Sequence, residues 1–280
     1  MAQKLNPRTL MKSWPEDRQD GPFRTLYSMA AGSVRFLDEF VQQAASANPR
    51  MSSAEIEAAS KKGQDHLARL VAERKAAIAR EIGTATLRKL SFAGRTIHEA
   101  AQALGPARIR EVARVAPFGS TELSATLDLR AIDWYRAQDV EHRTRAMLAA
   151  RDGRMPHLAR ALLRVPLEFG GFELKDDQRD ALLEALAALE NPTEYEQLVE
   201  QRRLSDIART VWTHSVREVA ETASVEQPML QDALGDTFGL YDQPPPLFYP
   251  VTVDDSRLGP MAAAIIDARR RPAVAAVQGA

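Results

Sequence analysis

Residues 52–82 read SSAEIEAASKKGQDHLARLVAERKAAIAREI, and their spacing decides the fold class. Ser52 is followed three positions later by Glu55, the arrangement of a capping box. The hydroxyl accepts from a free backbone N–H of the first turn, and the carboxylate accepts from the N–H of the cap itself. A long helix is expected to begin there, with Leu67, Leu70, Val71, Ile78 and Ile82 on one stripe. Arg74 and Lys75 interrupt the stripe and leave it closer to a coiled-coil seam than to a fully buried face. Gly83 and Gly94 come next and weaken helical continuity, so breaks are expected around both.

The same periodicity continues outward in both directions. Ile97, Ala100, Ala101 and Leu104 fall at helical spacing over residues 96–104, and Gly105-Pro106 stops that helix. A short helix carries Ile109, Val112 and Ala113 before Pro117. Ser120 is placed to cap the next, in which Leu123, Leu127, Ala131 and Tyr135 mark the inward side and Trp134 flanks it, the pattern running past Met147 and Leu148 to Gly153. Residues 156–165 form a further helix that Pro166 ends. After Asp176 or Asp177 as a cap, Leu182, Leu186 and Leu189 repeat until Asn191-Pro192, and another helix runs from Thr193 to about Ala223, with a short one after Pro228. On the N-terminal side a helix covers about 25–45, closed by Asn48-Pro49.

The expected fold is therefore all-α, a multi-helix protein with an irregular N-terminal arm and an extended, Pro-rich C-terminal arm. Its parts are an arm at 1–24, a basic helical region at 25–166, an acidic helical region at 167–240 and the C-terminal arm at 241–280. The division at 166/167 rests on the interruption at Phe169, Gly170, Gly171 and Phe172. In the C-terminal arm Pro244, Pro245, Pro246 and Pro250 interleave with Leu247, Phe248 and Tyr249, a polyproline-like composition. An edge strand at 251–253 and a short helix at about 260–270 follow it.

Composition narrows the classes of function. The 280 residues contain no cysteine, which removes disulfides, thiolate nucleophiles and zinc-thiolate sites. The first 21 residues hold no apolar core of a signal peptide, and nowhere do about 18 apolar residues run uninterrupted. The expectation is a soluble protein of the cytoplasm, or of a particle assembled inside the cell.

The net charge of -1 hides strong local imbalance. Residues 61–115 carry 12 Lys+Arg against 5 Asp+Glu, and residues 143–164 carry 6 against 1. Residues 165–206 reverse the sign, with 4 against 11. Such blocks steer partners or neutralise one another within one molecule, and they say little about fold.

Motifs for catalysis and metal binding fail on inspection. His98-Glu99 starts like the zincin helix, but Gln102 stands where the second histidine belongs. No glycine pattern makes a phosphate loop, and Gly119-Ser120 lacks the second glycine of a nucleophile elbow. Neither a cofactor nor a metal is expected. The helices on either side of Gly105-Pro106 have the outline of a helix-turn-helix, with Arg108, Arg110 and Arg114 on or beside the second. Arg143, Arg145, Arg151 and Arg154 are spread round their helices instead of forming one basic face, and few aromatics interleave with them. Acidic protein surfaces satisfy such arginines equally well, through the bidentate fork.

These observations favour a non-enzymatic structural or adaptor subunit of a larger assembly, such as a virus particle or a secretion complex. Its partners are copies of itself or other proteins, met through charged helices and the two arms, with Trp14, Phe248 and Tyr249 as anchors. The sharpest form of this expectation is head-to-tail pairing of the basic middle with the acidic block of another copy. Binding of nucleic acid by residues 61–164 is the alternative. An enzyme whose site converges from distant residues, for instance His142 or His157 with Asp139 or Glu141, comes third.

Overall fold

The computed structural model of the protein describes residues 6–242, and among these there are helices and turns but no strand. In chain order the helices are α1 (Pro7–Lys12), α2 (Arg24–Ser46), α3 (Ser53–Lys61), α4 (Gln64–Gln102), α5 (Pro106–Val112), α6 (Glu122–Ala137), α7 (Val140–Arg151), α8 (Pro156–Arg164), α9 (Asp176–Glu190), α10 (Pro192–Thr222), α11 (Gln227–Leu234) and α12 (Phe238–Asp242). The all-α architecture is thus as read from periodicity. The C-terminal arm from residue 243, including Phe248, Tyr249, the strand at 251–253 and the helix at 260–270, lies outside the described residues.

Local chemistry explains most of the boundaries. Ser52 and Glu55 form the expected capping box, with the Ser52 N–H donating to Glu55 Oε2 at 2.8 Å. The helix they start is short, however. It ends at Lys61, and Gly63, at φ +110°, separates it from α4. Thr121, one residue after Ser120, caps α6 by accepting from the Ser124 N–H at 3.1 Å. Asp139 caps α7 in the same way and divides a run that periodicity alone reads as continuous. Lys175 occupies the cap position of α9, while Asp176 and Asp177 stand in its first turn and favour the positive end of the helix dipole.

The chain forms two compact units. The first comprises residues up to Ala100 together with those from Arg203 onward, and the second is Ala101–Arg202. The division expected at 166/167 therefore falls inside the second unit. The interruption there is a tight turn: Gly170 adopts φ +81°, and a Cβ on Gly171 would lie 2.0 Å from the Val165 carbonyl oxygen. Only glycine allows the backbone to return so closely on itself, and the turn delivers Phe172 and Leu174 to the core of the same unit.

In the first unit, Leu26, Ala30, Leu37 and Phe40 of α2 pack with Leu87, Leu90, Ala93 and Ile97 of α4 and with Val211, Trp212, Val216 and Val219 of α10. Gly83 and Gly94 do not break α4, which is continuous over 39 residues. They are points of close approach. A Cβ at Gly94 would meet the Trp212 indole at 2.5 Å, and one at Gly83 would meet the Ala223 Cβ at 2.5 Å. With no side chain at 94, the indole lies against the helix and its Nε1–H donates to the Leu90 carbonyl at 2.7 Å. A mid-helix glycine costs about 1 kcal/mol, whereas burying an indole stabilises by about 4–6 kcal/mol, so packing wins.

The N-terminal segment carries α1 and two 3₁₀ turns in place of an irregular arm. Leu10, Trp14 and Phe23 belong to the core of the first unit, and Trp14 is only 4% exposed. Arg8 fastens the segment with ion pairs to Asp38 (2.6 Å) and Glu218 (3.1 Å).

The second unit packs α6 against α8, and α5, α7 and α8 against α9. Its core is leucine and alanine: Ala146, Ala150, Ala159, Ala161 and Ala187 alternate with Leu158, Leu162, Leu182, Leu183 and Leu186. Helix α6 is turned by about one residue from the expected register. It buries Asp128, Ile132 and Tyr135 and leaves Leu123, Leu127 and Trp134 outside. The cause is electrostatic as well as steric, because Asp128 is drawn inward to Arg164 of α8 at 2.7 Å.

Candidate functional site

The second unit carries a groove of about 610 Å³ between α7 and α9. Val140, Arg143, Thr144, Met147, Leu148 and Arg151 of α7 form one wall, since positions three and four apart share a helix face. Asp177, Gln178, Ala181 and Leu182 of α9 form the other, and Tyr135 and Phe172 complete the lining. The two rings meet edge to face, 5.1 Å between centroids, and the Arg136 guanidinium lies over Phe172 at 5.2 Å. The Gly170-Gly171 turn positions Phe172 for this contact. Burial pushes the Tyr135 hydroxyl above its ordinary pKa, and the positive charge of Arg143 opposes that rise.

The arginines of residues 143–164 differ in a way that the sequence does not show. Arg145 pairs with Glu141, Arg154 with Asp152 (3.8 Å), Arg160 with Glu190 and Arg164 with Asp128. Arg143 and Arg151 make no ion pair with any described residue. Both face the groove, and the Nε of Arg143 is buried without a hydrogen-bond acceptor. A buried N–H without a partner is costly, by about 1–3 kcal/mol. An entering acceptor would relieve it.

The basic and acidic blocks meet within the second unit. Arg160 reaches Glu190 and Arg108 reaches Glu194 at 3.6 Å, while within the acidic block itself Arg202 reaches Glu184 at 2.7 Å. The unit as a whole holds 14 Lys+Arg against 17 Asp+Glu, net -3. Glu190 and Glu194, two of the eleven acids of that block, are thus engaged by the basic blocks inside one chain.

The helix-turn-helix residues are placed less favourably for DNA. Helix α5 has seven residues, Arg108 is held by Glu111 (2.8 Å) and Glu194, and Arg114 follows the helix at φ +48°. Arg110 borders a shallow depression with Pro106, Ala107, Glu111 and Val115. The histidine and acid considered for catalysis do come together, His142 Nδ1 lying 2.8 Å from Asp139 Oδ2. Both are exposed at the start of α7, where the backbone N–H of His142 first, and then its ring, hold the Asp139 carboxyl below its usual range. That is helix-capping geometry. Among the described residues no three His, Cys, Asp or Glu side chains converge as metal ligands, and no helix is long and apolar enough to cross a membrane.

Trp14 belongs to a core and not to a surface, as described above. What sequence reasoning missed on the surface is the outer line of α6. Leu123 (70% exposed), Leu127 (49%) and Trp134 (46%) fall within a narrow arc of the helix, with Arg130 among them. Among the described residues, eight of the twelve large apolar side chains that stand exposed belong to the second unit, Val140, Leu148, Leu167, Phe169 and Leu189 being the others. Compared with known proteins, the chain matches no family model, no curated protein and no solved structure.

Proposed function

We propose that the chain is a non-enzymatic structural or adaptor subunit that assembles with copies of itself through the second unit. The observation that carries this reading is the line of Leu123, Leu127 and Trp134 on α6, left exposed among the described residues and close to the other exposed apolar residues in sequence. Clustered apolar surface of this kind marks an interaction site more often than isolated exposed residues do. Each such side chain stabilises a contact by about 1.5–3 kcal/mol when fully covered, and an aromatic with an adjacent arginine is a common centre of binding energy.

Sedimentation velocity of the full chain over a concentration series and at two salt levels tests the reading. Self-association that survives high salt and is lost in Leu127→Glu and Trp134→Glu is the expected result, because apolar contacts are little screened. A chain that stays monomeric at every concentration and salt level, unchanged by these substitutions, would overturn it.

A further inference from the structure

We infer that the groove between α7 and α9 receives residues 247–255 of a second copy of the chain. The inference rests on the proposed self-assembly and names the contact that extends it. The groove asks for a ligand with two properties. Tyr135, Phe172, Met147, Leu148 and Leu182 offer apolar and aromatic surface, and Arg143 and Arg151 offer two positive charges that no described carboxylate neutralises.

The segment LFYPVTVDD, residues 247–255, combines the same two properties in complementary form. Leu247, Phe248, Tyr249, Val251 and Val253 supply apolar surface, and Asp254-Asp255 supplies adjacent carboxylates. Prolines at 244–246 and 250 lower the entropy lost when such a chain is immobilised.

The acidic stretch at 165–206 is a poorer candidate, since most of it is folded into α9 and α10 and cannot enter as an extended segment, and Glu184, Glu190 and Glu194 are paired with Arg202, Arg160 and Arg108. Nucleic acid is also disfavoured. Phosphate contacts gain from a continuous positive track, while this groove has two arginines, Asp177 on its far wall and a unit of net negative charge around it. In the bound segment Asp254 and Asp255 therefore lie toward α7, away from Asp177. A contact of this type joins different surfaces on the two copies, so repetition produces a ring or an open chain of subunits.

The test uses the full chain carrying a photo-crosslinking p-benzoylphenylalanine in place of Phe248, mixed with an equal amount of ¹⁵N-labelled chain. Irradiation should give cross-links to residues 140–151 and 177–182, found in mixed-isotope pairs. Combining Arg143→Glu with Arg151→Glu should lower their yield about tenfold or more, and Asp254→Arg with Asp255→Arg on the cross-linking copy should restore it. A milder pair, Arg143→Lys with Arg151→Lys, guards against misfolding and should retain most of the yield, as thermal melts of each variant will confirm. Cross-links confined to single-isotope copies, cross-links elsewhere, or a yield indifferent to the charge reversals overturn the inference. If sedimentation still shows assembly in that case, the proposed function stands and only the groove's role falls.

Discussion

The first unit brings its helices together at glycine and fills the space with large aromatic side chains, whereas the second relies on alanine and leaves large apolar side chains outside. Trp212 against Gly94 typifies the first arrangement, and Ala146, Ala150 and Ala159 beneath an exposed Leu123–Leu127–Trp134 line typify the second. Placing big side chains in the interior makes the first unit a closed packing problem. The second leaves several of its big side chains half or more exposed, where they contribute little to the chain's own stability. In both units some basic residues are paired and others are not: Arg8 is matched by Asp38 and Glu218 in the first, whereas Arg143 and Arg151 have no acidic partner among the described residues in the second. Under the proposed function the first unit serves as support and the second as the surface for contact.

The strongest challenge to this contrast is Trp212→Ala. It should destabilise the first unit by about 3–5 kcal/mol, measured as a fall in the urea midpoint. A loss under about 1 kcal/mol would mean that the indole is not the keystone of that packing. Next comes Asp128→Ala in the second unit, which strands the Arg164 guanidinium in the interior at a cost of about 3 kcal/mol. The double change Asp128→Leu with Arg164→Met should recover most of that stability. If it does not, the pair is doing more than neutralising itself.

A smaller loss is expected from Gly94→Ala, about 1–3 kcal/mol, even though alanine is the better helix former. Stabilisation instead would show that Trp212 can retreat without penalty. Leu127→Ser with Trp134→Ser should change the stability of the monomer by no more than about 0.5 kcal/mol while abolishing association in sedimentation. Equal loss of both would make the α6 line structural.

The smallest effect concerns pH. The backbone N–H and hydroxyl of Ser52, and after them Arg74, hold the Glu55 carboxyl below its ordinary value. A carboxylate lowered in the folded state stabilises the α3 cap fully above the unfolded pKa and loses that contribution as pH falls through the folded value. Hydrogen exchange in the first turn of α3 should accelerate at acid pH relative to α2, and Glu55→Gln should remove the pH dependence. Exchange that shows the same pH dependence in both forms would dismiss the carboxylate's role.

Signals carried by a few neighbouring residues were legible in the chain. The Ser52–Glu55 box, Pro49 after α2, Pro166 after α8 and Asn191-Pro192 between α9 and α10 all mark real helix ends, because caps and prolines act on the backbone of their own turn. The reading failed where a residue's meaning depends on something distant. Gly94 is a breaker on local grounds, and only Trp212, 118 positions later, makes it a site of contact. Leu123 and Leu127 look inward until Asp128 is turned toward Arg164. For the groove, sequence reading found the arginines but could not separate Arg143 and Arg151 from Arg160 and Arg164, whose partners lie 30 and 36 positions away.

By itself the sequence determined the helical class, most helix ends and the pool of basic and apolar residues available for contact. Those follow from backbone propensity and from periods of three and four residues, which are short-range properties. Tertiary structure decided which glycines are contacts, which face of α6 is outside, how the chain divides into units and which of the arginines of residues 143–164 are left without acidic partners. Each of these is settled by packing and charge pairing between residues far apart in the chain, and no local pattern encodes them.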